Sequence, residues 1–175
     1  VKNLSLGGSI TAATVSLNAA TVCEAFNRPH EALERYGEAK SIYEDFLEPT
    51  DSRLGGLYNN MALACVSLKE YDCARELYQK AIEVMSALPG GKPETAITYL
   101  NLANAAEAQQ GLENADGFIS DCLQTAEELL LDGSNAQDGN YAFVCEKCAP
   151  TFEYYGWFMT AEELKRRSDG IYERT

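Results

Sequence analysis

Three columns of residues keep step along this chain at a period near 42 residues. The triplet Asn18-Ala19-Ala20 returns as Asn60-Met61-Ala62 and Asn101-Leu102-Ala103, with a degenerate fourth copy at Lys147-Cys148-Ala149. Fourteen residues after the first member of each triplet stands an alanine: Ala32, Ala74, Ala115 and Ala161. Seven residues further on stands another small residue: Ala39, Ala81, Cys122 and Ser168. Self-similarity at a fixed period of this size marks a stack of supersecondary units, each too small to bury its own apolar face.

Each copy reads as two helices. The first carries the triplet, as in 57–68, where apolar residues recur at three- and four-residue spacing; the second carries the paired small residues, as in 72–88. Breakers fall between copies at Pro49, at Pro89-Gly90-Gly91 with Pro93, and at Asp132-Gly133-Ser134. The glycine pairs Gly7-Gly8, Gly55-Gly56 and Gly90-Gly91 read as punctuation between repeats, and Thr160-Ala161-Glu162-Glu163 as a capping box opening the last helix. Pro150, inside a first helix, is expected to kink or shorten it. The small columns have a physical reason. Helix axes that approach to about 8–10 Å need small side chains where they cross. Tyr36, Tyr58, Tyr71, Tyr78, Tyr99, Leu112, Ile119 and Phe158 are expected to fill the space around them.

An alanine with a bulky residue three positions before it and a second small residue seven after it resembles the tetratricopeptide repeat. The long period is similar to that of kinesin-light-chain-type repeats. The resemblance runs over residues 10–175 and implies an all-α, right-handed solenoid of four helical pairs, at 11–50, 53–91, 94–132 and 140–175, forming a single domain over 1–175. It departs at the helix–helix turn: the family glycine survives as Gly156 and is replaced by Asn27, Lys69 and Gln110 elsewhere. The resemblance further implies a protein- or peptide-binding scaffold that holds its partner in a concave groove lined by the first helices, with no catalytic activity and no cofactor.

Composition narrows the partner. With 14 Lys plus Arg against 27 Asp plus Glu, the formal charge is −13. Such a surface repels phosphate backbones and anionic lipid, so the expected partner is a neutral to basic polypeptide with apolar side chains, not nucleic acid or membrane. The single histidine, His30, leaves most acid–base and triad chemistry without its usual base. The six cysteines, Cys23, Cys65, Cys73, Cys122, Cys145 and Cys148, read as reduced thiols packed as small apolar fillers in a cytoplasmic protein, holding neither a metal nor a disulfide. Cys145-x-x-Cys148 lacks the second ligand pair that a zinc site uses. No secretory signal is visible, and because the chain starts at Val1 without an initiator methionine that absence carries little weight.

The groove expected from the resemblance is lined by Asn18, Thr21, Asn60, Leu63, Ile97, Asn101, Asn104, Lys147 and Tyr154, with Phe143 and Glu107 as further wall residues. Asparagine is a poor helix former, so its threefold placement in register implies that the amide is used, either on a ligand backbone or as a ladder between repeats. A carboxylate clamp of the chaperone-binding kind does not fit, because Lys147 is the one cation among the corresponding positions. Two other roles fit the same pattern: a receptor for a small signalling peptide, and a structural module that oligomerises through its outer face. The repeat phasing has a direct test. Replacing Ala62 or Ala103 with leucine should cost about 1–3 kcal/mol by overpacking, while Glu76→Leu should stay within about 0.5 kcal/mol, as read from urea unfolding.

Overall fold

The computed structural model describes residues 9–174, so the Gly7-Gly8 pair lies outside the described residues. Within them the chain is all helix and turn. The helices are α1 (Ile10–Ala25), α2 (Pro29–Phe46), α3 (Ser52–Ser67), α4 (Tyr71–Ser86), α5 (Lys92–Gln110), α6 (Leu112–Leu131), α7 (Gly139–Tyr154) and α8 (Phe158–Tyr172). They pack in pairs as helix–turn–helix hairpins, α1 on α2, α3 on α4, α5 on α6 and α7 on α8. The chain forms two compact units that divide between Leu88 and Pro89. In the first, α2 also packs on α3; in the second, α5 also packs on α7.

All three small columns are buried. Ala20, Ala62, Ala103 and Ala149 line the contact inside each hairpin, and Ala32, Ala74, Ala115 and Ala161 are buried at its return. Ala39, Ala81, Cys122 and Ser168 are buried in the second helices. Tyr36, Tyr58, Tyr78 and Ile119 fill the core as expected, and Tyr71 and Tyr99 are half-buried. Leu112 and Phe158 do not: each opens a second helix and lies on the exposed side of its first turn, whose other side buries Ala115 or Ala161.

Three of the four hairpin turns are built alike. Asn27, Lys69 and Gly156 each adopt a left-handed backbone, at φ of 55°, 62° and 81°. In each, the next residue's N–H reaches back to a carbonyl near the end of the first helix: Arg28 to Cys23 at 2.9 Å, Glu70 to Cys65 at 2.9 Å, Trp157 to Phe152 at 2.8 Å. This is the bonding pattern that satisfies two orphan carbonyls at a helix end. The backbone that favours glycine is therefore kept where Asn27 and Lys69 have replaced it. In the third hairpin the left-handed residue is Gly111, one place after Gln110.

Several local expectations are corrected. Gly55 and Gly56 lie inside α3, not between repeats. Gly55 is buried where a Cβ would come within 2.9 Å of the Met85 side chain, so the glycine lets α3 and α4 approach. Thr160 does not cap α8; it lies in the first turn, with Trp157 at the cap position, and its hydroxyl donates to Glu127 of α6. Pro150 does not shorten α7, which continues to Tyr154. Five cysteines are buried as fillers, but Cys73 is exposed. The basic run Lys165-Arg166-Arg167 is a paired surface: Lys165 meets Glu153, and Arg166 and Arg167 both meet Glu163 at 2.7 Å.

A left-handed conformation costs a residue with a side chain roughly 1–2 kcal/mol, part of which glycine gives back in unfolded-state entropy. Lys69→Gly is expected to stabilise the chain by about 0.5–1 kcal/mol in urea unfolding, and Gly156→Lys to destabilise it by a similar amount.

Candidate functional site

The first helices carry every residue proposed from sequence for the groove, and the two units present them differently. In the first unit Asn18 and Thr21 lie exposed on α1, and Asn60 and Leu63 half-buried on α3. Thr21 turns its hydroxyl back onto its own helix, donating to the Asn18 carbonyl at 2.8 Å. Toward the end of α1, Glu24 accepts a hydrogen bond from the Tyr36 hydroxyl at 2.5 Å. Burial raises the Glu24 pKa above the usual carboxylate range, and the Tyr36 hydrogen bond only partly offsets this. The Tyr36 hydroxyl is itself pushed far up by burial and by that carboxylate.

The second unit holds the denser constellation. Ile97 and Asn101 are half-buried on α5, Asn104 is exposed one turn on, and Lys147 and Tyr154 are exposed on α7. At the end of the helix pair, Glu107 of α5 accepts hydrogen bonds from two tyrosines of α7 and its cap, Tyr154 at 2.6 Å and Tyr155 at 2.8 Å. The Tyr155 hydroxyl also lies 3.1 Å from Asn104 Oδ1. The two rings meet edge to face with centroids 4.9 Å apart. Burial first, then Glu107, raises the Tyr155 pKa; at exposed Tyr154 the Glu107 hydrogen bond is the leading cause. Both rings border a hollow of about 280 Å³ that Leu112, Asp116, Leu123 and Trp157 help to line. A hollow of about 310 Å³ in the first unit, between Glu44, Leu54, Tyr58 and Lys80, touches none of the groove candidates.

The structure thus brings Asn104, Glu107 and Tyr154 together through Tyr155, a residue outside the groove expected from the sequence. The signal was available: Glu107 and the Tyr154-Tyr155 pair sit at the ends of neighbouring first helices. Phe143 is exposed at the other end of α7, while Phe152 and Tyr141 are core. Cys145 and Cys148 are both buried in α7, and burial pushes the Cys148 thiol up to about 12. No helix among the described residues is long and apolar enough to cross a membrane.

Eight helices closed into hairpins by repeated turns, with small residues at each crossing, define a helical-repeat protein. The tetratricopeptide repeat family profile matches residues 53–128, so the chain carries tetratricopeptide repeats over that stretch. Tetratricopeptide domains generally bind proteins and are typically non-catalytic. The chain is 33% identical over 112 residues to Protein HGV2 of Halocynthia roretzi, a match that covers 62% of this chain and 20% of that protein. The chain therefore spans about a fifth of the curated relative's length. Among solved structures, it is similar to BtubC (BKLC) from P. vanneervenii, with a TM-score of 0.60 and 18% identity over 93% of this chain and 64% of that one. It is also similar to a putative kinesin light chain with nearly identical TPR-like repeats from Podosopora anserina, with a TM-score of 0.60 and 16% identity over 99% of this chain and 80% of that one. At these identities the likeness is one of fold.

The raised pKa of Glu24 gives a pH signature. A carboxyl raised on folding contributes stability below its unfolded pKa, and that contribution is lost as pH rises through the folded value. Glu24→Gln keeps an acceptor for Tyr36 without the half-buried charge. It is expected to melt above the parent chain at pH 7, with the gap closing as pH falls to about 4, where the parent carboxyl is itself protonated.

Proposed function

We propose that the chain holds a partner polypeptide against the first-helix faces of its hairpins, and that the partner is an extended or partly helical segment with basic and apolar side chains. The observation that carries this is the α5–α7 face of the second unit. There Glu107 and Asn104 offer acceptors beside Tyr154, an aromatic ring that is 67% exposed. An exposed aromatic beside a carboxylate suits an anchoring pocket for a lysine or arginine stem. The formal charge of −13 draws such a segment in and speeds its encounter. In the first unit, Asn18 and Asn60 are the matching candidates, with Leu63 as apolar wall; Ile97, Asn101, Lys147 and Phe143 complete the set on α5 and α7. An amide offers a donor and an acceptor to one peptide unit, which gives affinity with little sequence preference. Selectivity then falls to the walls. This reading places the protein with intracellular scaffolds and assigns it no reaction.

The 175-residue chain, panned against a random displayed-peptide library, should enrich sequences that pair Lys or Arg with aromatic or branched aliphatic residues. A selected peptide should bind more weakly as salt rises. Tyr154→Ala and Asn60→Ala should each weaken a peptide selected on their own unit by about 1–2 kcal/mol in calorimetry. Thermal melting separates binding from folding, since a change at exposed Tyr154 should leave stability within about 0.5 kcal/mol. Enrichment of acidic peptides, or unchanged affinity in both variants, would overturn the reading.

A further inference from the structure

The turn between α3 and α4 gathers three metal-ligating side chains that neither the core nor the groove uses as such. Cys65 stands third from the end of α3, Glu70 in the turn, and Cys73 in the first turn of α4. The sulfurs of Cys65 and Cys73 are 3.1 Å apart. Those sulfurs and a carboxylate oxygen of Glu70 all lie within 4.8 Å of one another. The backbone fixes this arrangement. With Lys69 left-handed, the Glu70 N–H donates to the Cys65 carbonyl at 2.9 Å, tying two of the three residues directly together.

Glu70 is the telling member. It occupies the cap position of α4, yet its side chain makes no capping hydrogen bond. It forms no ion pair among the described residues. Its carboxylate instead lies with the two thiols. Three groups that carry negative charge when ionised are thus held side by side.

We infer that Cys65, Glu70 and Cys73 form a binding site for a thiophilic divalent cation of the zinc class, with its fourth position open to water. Thiolates select soft and borderline ions, and a cation turns the mutual repulsion of these groups into attraction. The geometry is near what such an ion requires. Two thiolates about 2.3 Å from a tetrahedral zinc stand about 3.7 Å apart, so the sulfurs need to open by well under 1 Å. A disulfide would need them to close by about 1 Å, to roughly 2.05 Å, and would leave the Glu70 carboxylate without a task. Cys73 is exposed, which gives the ion a way in; Cys65 is buried, which shields one side of the site. Bound there, the ion clamps the end of α3 to the start of α4.

The test is a titration of the reduced 175-residue chain, kept in a phosphine reductant, with CoCl2 and then ZnCl2. Cobalt is expected to bring in thiolate-to-metal charge-transfer absorption at one ion per chain, and zinc to bleach it. Loss of even an outer-shell partner costs about 10–100-fold in metal affinity, so Cys73→Ser should lose at least that much. Glu70→Gln should keep the charge-transfer band with affinity lowered about tenfold. Cys148→Ala, at a thiol buried in α7, should titrate like the parent. Because Cys73 is exposed, its serine variant should fold, and zinc should raise the melting temperature of the parent but not of that variant. No charge-transfer band in the parent, or a band that survives Cys73→Ser, overturns the site. So does a fully reduced chain that takes up no cobalt but closes a Cys65–Cys73 disulfide in air.

Discussion

The structure depends on how close two helices can come. Each hairpin is held by a first and a second helix that touch along buried alanines, where helix axes come closest and small side chains are favoured. Once the small residues set the approach, the tyrosines of the second helices have defined spaces to fill, and Tyr36, Tyr43 and Tyr78 are almost wholly buried. At Gly55 even a methyl group would press on Met85, so this hairpin closes more tightly than alanine would allow. The turns follow from the same constraint. A short, left-handed connection lets the second helix begin against the first without a gap, and three hairpins use the same pair of backbone hydrogen bonds to make it.

The architecture was legible because this constraint acts on side-chain size at fixed intervals, which is what a sequence records most clearly. The asparagine triplets and both small columns fall where the repeat phasing puts them. The misread positions share a cause. Gly55 and Thr160 read locally as a break and a cap, while packing against Met85 and the reach to Glu127 decide their places. Leu112, Phe158 and Cys73 carry core-like side chains in the first turns of second helices, where the hairpin leaves that face open. Composition cannot tell such positions from the core one turn later.

The candidate sites were less legible because each depends on where two helix ends meet. Glu107 is unremarkable on α5 until Tyr154 and Tyr155 arrive from α7. Cys65 and Cys73 are eight residues apart, a spacing that suggests nothing until the Lys69 turn folds them together. Both clusters sit at the turn end of a first helix. That is where a hairpin exposes polar groups from two chain segments at once, and where a repeat can change chemistry without disturbing the alanine contacts that hold it.

The unequal sharing of contact also has a mechanical consequence. Within each unit, the two helices of a hairpin hold each other more extensively than one hairpin holds the other. A load applied across one unit would therefore be shed stepwise, one hairpin giving way while the other keeps its shape. Each release would pay out roughly 40 residues of slack, about 140 Å at full extension. A repeat of this kind lengthens under strain before it fails, and its hairpins would be let go in instalments.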